Sequence, residues 1–230
     1  MEEKELTILM PCLNEEENIA YSIEQAQEYL RSRGLSGEIL VVDNDSTDRS
    51  AEIAMSYGAT VITEHRRGYG RALRTGLAAA RGTVIIFGDC DSTYDFSDLD
   101  PIYTPLATGA ADFVTGDRFG GLMEDGAMSW SHRLGVPFLS FCSRLKFGIK
   151  IHDWHCGIRG ITRSALEKMD LKTDGMEFAT EMIAEIARHD LRYTEVSVPL
   201  KKSQNARTEK LRTIRDGLRH LVYIIGSRRE

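Results

Sequence analysis

The chain is short of cysteine, of long apolar runs and of net positive charge. Its four cysteines, Cys12, Cys90, Cys142 and Cys156, are scattered and form no CxxC pair. Together with the absence of a signal-peptide pattern, that scatter leads to an expectation of reduced thiols in a cytosolic setting. No apolar run approaches the ~20 residues that cross a bilayer. The first residues, MEEKE, lead straight into a strand pattern, so no signal peptide is expected. With 29 Lys and Arg against 35 Asp and Glu the net charge is −6, which argues against general nucleic-acid binding. Neither GxGxxG nor a Walker loop occurs, so a Rossmann dehydrogenase and a P-loop ATPase have no direct support.

What the chain does have is a core. Hydrophobic residues make up 42% of the 230 positions, enough for one large or two small domains. The stretch TVIIFGDCDSTYD, from Thr83 to Asp95, organises the rest. Val84 to Phe87 is apolar on every side, as in a strand covered on both faces of a parallel sheet. It ends in Asp89, Cys90 and Asp91. Ligands of open α/β sheets bind beyond the carboxyl ends of strands. Two carboxylates one residue apart at that edge can share Mg²⁺ or Mn²⁺, which prefer oxygen ligands. The plainer alternative is a loop rich in Asp for turn formation.

Taken in order, Leu6 to Met10 reads as a strand ending at Pro11. A helix follows, capped by Asn14 with Glu17 in the capping-box position, and stops at Gly34. EILVVD, Glu38 to Asp43, is a second strand. A helix to about Tyr57, with Asp45 or Ser46 as its cap, leads to a third strand, Ala59 to Thr63. The basic loop HRRGYG and a helix to Ala80 precede the central strand. This β-α-β-α-β-α-β order predicts a mostly parallel sheet flanked by helices, with right-handed crossovers. The second half reads as a helix from Asp100, a strand from Ala111 to Gly116, and a polar loop to Trp130. An amphipathic helix from Ser131 to Phe147 follows, with an interruption allowed near Pro137. The loop HDWHCGIR holds His152, Asp153, His155 and Cys156, but the second ligand pair of a structural zinc site is missing, so a site-lining loop carrying Arg159 is expected. Ser164 caps a short helix, and the helix Phe178 to His189 carries Glu177 and Glu181 on one face. A strand from Arg192 to Val198 ends the domain.

Three further stretches carry candidate chemistry. Asp43 closes a buried strand, where it can meet a nucleobase or ribose or cap the next helix. Gly68 and Gly70 in the loop Arg66 to Arg71 allow backbone to approach a phosphate-bearing ligand, or mark a solvated turn. From Lys201 to Glu230 there are nine Lys or Arg against three Asp or Glu. Leu211, Ile214, Leu218, Leu221 and Ile225 recur at helical spacing, with Arg212, Arg215 and Arg219 as a second stripe. This basic amphipathic helix fits either packing on the domain or lying on an anionic membrane surface.

The ordered motifs PCLNEEENI, VVDNDSTD, RGYGRAL, GDCDSTYDF, TGDRF, HDWHCGIRG, GMEFATEM and EKLRTIRDGLRHL resemble family 2 glycosyltransferases with the glycosyltransferase-A fold. More closely they resemble the polyprenyl-phosphate, dolichol-phosphate mannosyltransferase-like sugar transferases. The resemblance implies a catalytic domain over residues 1–205, with a nucleotide-sugar half to about 117 and an acceptor half beyond it, then a juxtamembrane helix over 206–230. It implies inverting, metal-dependent transfer of a sugar from a UDP- or GDP-sugar to a polyprenyl or dolichyl phosphate, at the cytoplasmic face of a membrane.

Residue by residue, Pro11, Asn14, Glu15 and Asp43 match nucleotide-holding positions, and Gly68 and Gly70 the loop near base and ribose. Asp89 and Asp91 match the Mg²⁺ or Mn²⁺ and diphosphate site. Arg118 and Arg133 match arginines that grip the acceptor phosphate, and Arg159 and Lys210 basic positions facing phosphates. The chain departs from the pattern at Asn44–Asp45, Cys90 and Glu209. A hydroxyl acceptor would instead need a general base, with Asp95 or Glu181 as the candidate. A nucleotide-binding module without turnover is the reading from another class.

Overall fold

The computed structural model describes residues 4–203 and 213–227. In chain order the strands are β1 (Lys4–Cys12), β2 (Gly37–Asp43), β3 (Thr60–Thr63), β4 (Gly82–Phe87), β5 (Phe113–Asp117), β6 (Arg159–Thr162) and β7 (Tyr193–Ser197). The helices are α1 (Ile19–Arg33), α2 (Ser50–Ser56), α3 (Tyr69–Ala79), α4 (Asp100–Ala107), α5 (Trp130–Phe147), α6 (Arg163–Leu166), α7 (Phe178–Arg188) and α8 (Thr213–Gly226). The seven strands form one sheet in the order β3-β2-β1-β4-β6-β5-β7. β1, β2, β3 and β4 are mutually parallel, and β5 runs parallel to β7. β6 is antiparallel to both its neighbours, β4 and β5. It thereby joins the halves of the chain expected to part near residue 117.

Alternation along the strands builds two cores. Ile8, Met10, Val41 and Ile86 point to one face and pack with Ile23 and Tyr29 of α1 and Ile102 and Leu106 of α4. Leu9, Leu40, Ile85 and Phe87 point to the other and pack with Leu73 and Leu77 of α3 and Ile183 and Ile186 of α7. β4 is therefore buried on both sides, as its unbroken apolar run requires.

Six expectations are corrected. β1 passes through Pro11, because its register with β4 ends at Leu9↔Phe87 and the missing Pro11 N–H falls beyond that ladder. α1 begins at Ile19, not at Asn14: Asn14 sits at φ 53° and its Oδ1 accepts the Thr47 N–H at 2.8 Å. Neither Asp45 nor Ser46 caps α2, whose Ser50 N–H goes to Asp48 Oδ1 at 3.0 Å, and Thr162, not Ser164, caps α6 by accepting the Ala165 N–H at 3.3 Å. The expected loop around Arg159 contains the strand β6, where α4 lies so close that a Cβ on Gly160 would come within 2.5 Å of Leu106. α5 runs unbroken through Pro137. Leu211, Arg212 and Lys210 lie outside the described residues.

Candidate active site

Because β1, β2 and β4 are parallel, their carboxyl ends share one edge. A cleft of about 860 Å³ opens there. Its walls come from Pro11 at the end of β1 and Glu15 after it, Asn44 after β2, and Asp89 and Asp91 after β4. Arg118 after β5 and Arg215 and Arg219 of α8 complete it.

Asp89 lies over Gly157, where a Cβ would come within 2.5 Å of its Oδ2, so only glycine leaves it room. Burial, followed by the neighbouring Asp91 charge, pushes the Asp89 carboxyl up to about 7, against the pull of the Tyr69 hydroxyl and Arg118. Asp91 Oδ1 accepts from Thr93 N at 3.1 Å and Thr93 Oγ1 at 2.5 Å. Its Oδ2 has no hydrogen-bond partner among the described residues. Two carboxylates side by side at this edge are a donor set that fits Mg²⁺ or Mn²⁺.

Across the cleft, Arg118 is clamped by the fully buried Asp153. Its Nε donates to Oδ2 at 2.6 Å and its Nη2 to Oδ1 at 2.8 Å, which leaves Nη1 out of the fork. Burial opposes the guanidinium charge, but the adjoining Tyr94 and Asp153 outweigh it and hold the pKa well above the ordinary value.

The other expected residues divide. Pro11, Glu15 and Gly68 line the cleft, while Asn14, Asp43, Gly70, Arg133 and Arg159 do not. Asp43 is buried and its Oδ1 accepts the Ser46 N–H at 3.3 Å. Gly68 and Gly70 are glycine for a different reason from the one expected: added Cβ atoms would strike the carbonyls of Asp174 at 2.3 Å and Thr173 at 2.6 Å. Arg133 is exposed and meets the Met123 sulfur at 3.4 Å. Arg159 lies behind the cleft wall and is not part of its lining. It is fully buried, and it donates to the carbonyls of Cys156, Ala179 and Trp154 at 2.9, 2.8 and 2.7 Å.

Both candidate bases are held elsewhere. Asp95 accepts from Lys201 Nζ at 2.6 Å. Glu181 is buried and accepts from the N–H groups of Lys172 and Thr173 at 3.0 and 2.9 Å. Among the described residues the HDWHC run assembles no metal set of its own: His155 is half-buried, Cys156 is buried, and His152 turns to Glu195 at 2.8 Å. Asp117, His152 and Glu195 do bring three ligand atoms within 4.8 Å, but Glu195 already accepts from the N–H groups of His152 and Asp153.

Sequence reasoning passed over Asn44. Its Nδ2 donates to the carbonyls of Glu64 and Arg66, both at 2.9 Å, and its Oδ1 accepts the Gly68 N–H at 2.8 Å, fixing the basic loop to the end of β2. It passed over Arg67, His132 and Lys202 as cleft residues too. Arg215 and Arg219 had a visible signal, the basic stripe, which was read toward a membrane; here both line the cleft, and Arg219 also binds Glu177 at 2.8 Å.

The same architecture occurs in known proteins. The crystal structure of glucosyl-3-phosphoglycerate synthase from Mycobacterium tuberculosis, in complex with Mn²⁺, UDP and glucosyl-3-phosphoglycerate, superposes with a TM-score of 0.77. That match covers 99% of this chain and 82% of the other at 22% identity, and shows a shared fold, the glycosyltransferase-A fold expected from the sequence. A low-salt glycan biosynthesis hexosyltransferase of Haloferax volcanii is 37% identical over 221 residues; these are 96% of this chain, which spans 53% of that protein's length. A dolichyl-phosphate hexose transferase of the same organism is 30% identical over 199 residues, covering 86% of this chain and 83% of its own. Residues 7–170 match the family described as glycosyl transferase family 2. With that match running from β1 past α6, the chain belongs to the family 2 glycosyltransferases.

Proposed function

We propose that the chain transfers a hexose, with inversion, from a nucleoside diphosphate sugar to a polyprenyl phosphate at the surface of a membrane. The observation that carries this reading is the cleft itself, with the Asp89–Asp91 pair on one side and Arg118 on the other. Glu15, Asn44, Arg67 and Gly68 form the end suited to the nucleotide. Asp89 and Asp91 would hold a divalent cation there, whose charge offsets that of the departing diphosphate. The UDP and Mn²⁺ bound by the structural neighbour support that donor and metal.

For the acceptor, chemistry discriminates. A lipid monophosphate has a second pKa near ~6 and is mostly dianionic at neutral pH, so its oxygen attacks C1 without a general base. A hydroxyl needs one. The two carboxylates best suited to that role by sequence, Asp95 and Glu181, are bound to Lys201 and to the 172–173 backbone, outside the cleft. Arg118 instead supplies a fixed positive charge for the attacking phosphate. The relative named as a dolichyl-phosphate hexose transferase supports the same acceptor. No helix among the described residues is long and apolar enough to cross a membrane.

Arg118→Lys tests the assignment, since it keeps the charge and gives up the fork geometry. Transfer to polyprenyl phosphate is expected to fall by roughly 1.4–3 kcal/mol of transition-state free energy, while donor binding by calorimetry is unchanged. Unchanged transfer would refute the acceptor role, and robust transfer to a hydroxyl acceptor would replace it.

A further inference from the structure

α5 carries a stripe of large apolar side chains that the fold leaves in water. Trp130, Leu134, Phe138, Phe141 and Leu145 recur at intervals of four, four, three and four residues, and they are 52% to 77% exposed. The opposite side of the helix is anchored by Val136, Ser140, Ser143 and Phe147, which are buried. α8 packs beside α5 and adds Leu218, Val222 and Ile225, at 57% to 70% exposure. Helical spacing of this kind normally marks a buried face, and eight such exposed side chains on two packed helices mark an interaction surface.

We infer that this α5–α8 face seats in the headgroup boundary of an anionic lipid bilayer, with α5 lying along the surface. The charge decides among the occupants. The two helices hold Arg133, Arg144, Lys146, Arg215 and Arg219 against a single acid, Asp216, in a chain whose net charge is −6. A second copy docked on the same face would bring like charges together, whereas an anionic lipid surface is their complement. Trp130 at one end of α5 and Arg144 and Lys146 in its last turn are the residue types that settle at a membrane–water interface. At 18 residues α5 is about 27 Å long, a helix that lies on the surface and does not span it.

The face also continues the cleft. Ser129 and His132 at the start of α5, and Arg215 and Arg219 of α8, belong to the cleft wall. Seating the face on lipid therefore turns the cleft mouth toward the layer from which a lipid phosphate would enter. This shifts the main lipid contact from the C-terminal arginines, where the sequence placed it, to α5. Arg219 is bound to Glu177, and His220 is buried against Thr180 at 2.8 Å.

The inference deepens the acceptor reading above, but its test does not need transfer. The full chain is floated with vesicles of roughly 3:1 phosphatidylcholine to phosphatidylglycerol, then with phosphatidylcholine alone. Wild type is expected to float with the anionic vesicles, with a blue shift in fluorescence from Trp130, because the other tryptophan, Trp154, is already buried. Leu134→Ser/Phe138→Ser/Leu145→Ser is expected to partition at least about tenfold less at an unchanged melting temperature, and Arg144→Glu/Lys146→Glu to lose the preference for anionic lipid. Equal flotation of wild type and the triple variant overturns the inference, as does a wild-type dimer that the triple variant dissolves. Transfer to a short, water-soluble prenyl phosphate is expected to survive in the triple variant. If flotation behaves as stated and that transfer is absent in wild type, the acceptor reading fails and the lipid face stands.

Discussion

Asp153 is fully buried, and both of its carboxylate oxygens go to Arg118, with the Arg118 backbone N–H as a third donor at 3.3 Å. Its work is to orient a cation, so Asp153→Asn is a sharper probe than removal of Arg118, which would strand a buried charge. The amide keeps the shape but turns one acceptor into a donor facing the guanidinium. The expected result is an acceptor KM about tenfold higher, near 1.4 kcal/mol, at an unchanged donor KM. Steady-state titration of each substrate separates the two. Arg159 shows what an arginine in a motif does not reveal. Arg118 and Arg159 both follow a polar loop signal in the sequence, yet only the fold decides that one meets the cleft and the other meets three carbonyls. Arg159→Ala is expected to lower unfolding stability by about 3 kcal/mol or more, through the carbonyls left unpaired in the interior. Denaturant titration measures it. A variant of wild-type stability would return Arg159 to the candidates for ligand contact.

At the scale of elements, α8 is held by polar contacts as much as by packing. Arg219 pairs with Glu177, and His220 bonds Thr180 and packs edge-on against His155 at 4.4 Å, their centroids that close inside the protein. Burial pushes His220 down to about 4; Glu177, just ahead of α7, opposes this, and Arg159 of β6 and Arg219 add to it. His155 is lowered by burial and then by His220, Arg118, Arg159 and His132. A histidine with a depressed folded pKa binds its proton more readily in the unfolded chain. Its contribution is therefore complete above the unfolded value near ~6.5 and is lost as pH falls toward the folded one. For His220 the window runs from about 6.5 to about 4 and is worth at most about 3 kcal/mol. His220→Gln should flatten the pH dependence of stability in that window relative to wild type, as followed by denaturant unfolding at successive pH values. Superimposable profiles would sink the idea. None of this was visible in the sequence, which shows the apolar period of the helix but not what its polar residues meet. The start of α1 was missed for the same reason. Gly34 ends that helix by a local rule, whereas Asn14 is fixed by Thr47, thirty-three residues away.

Across the whole molecule, legibility follows how local the cause is. The parallel β1–β4 sheet and its two covered faces follow from alternating apolar runs and helix stops, all short-range signals, and they carry Asp89 and Asp91 to the correct edge. β6 escaped because its four residues, RGIT, hold their place only through β4, β5 and α4. Arg118 was named from its motif, but Arg67, His132 and Lys202 escaped as cleft residues because they come from loops and a helix far apart in sequence. The acid pair also links stability to function. Asp89 is half-buried next to another carboxylate, and desolvation and that neighbour both oppose its charge. In metal-free buffer, Asp89→Asn is therefore expected to melt at or above the wild-type temperature, because it removes a carboxyl whose charge desolvation and Asp91 oppose more than Tyr69 and Arg118 support it. The order should reverse once Mn²⁺ and UDP are added. Ligand at about 100 times its dissociation constant stabilises the native state by about 2.7 kcal/mol, and only the wild-type pair can collect that gain. Thermal shift with and without EDTA reads both halves of the experiment. An Asp89→Asn variant that melts lower without metal, or that rises with Mn²⁺ and UDP as wild type does, would mean the pair is structural and the cation is held elsewhere.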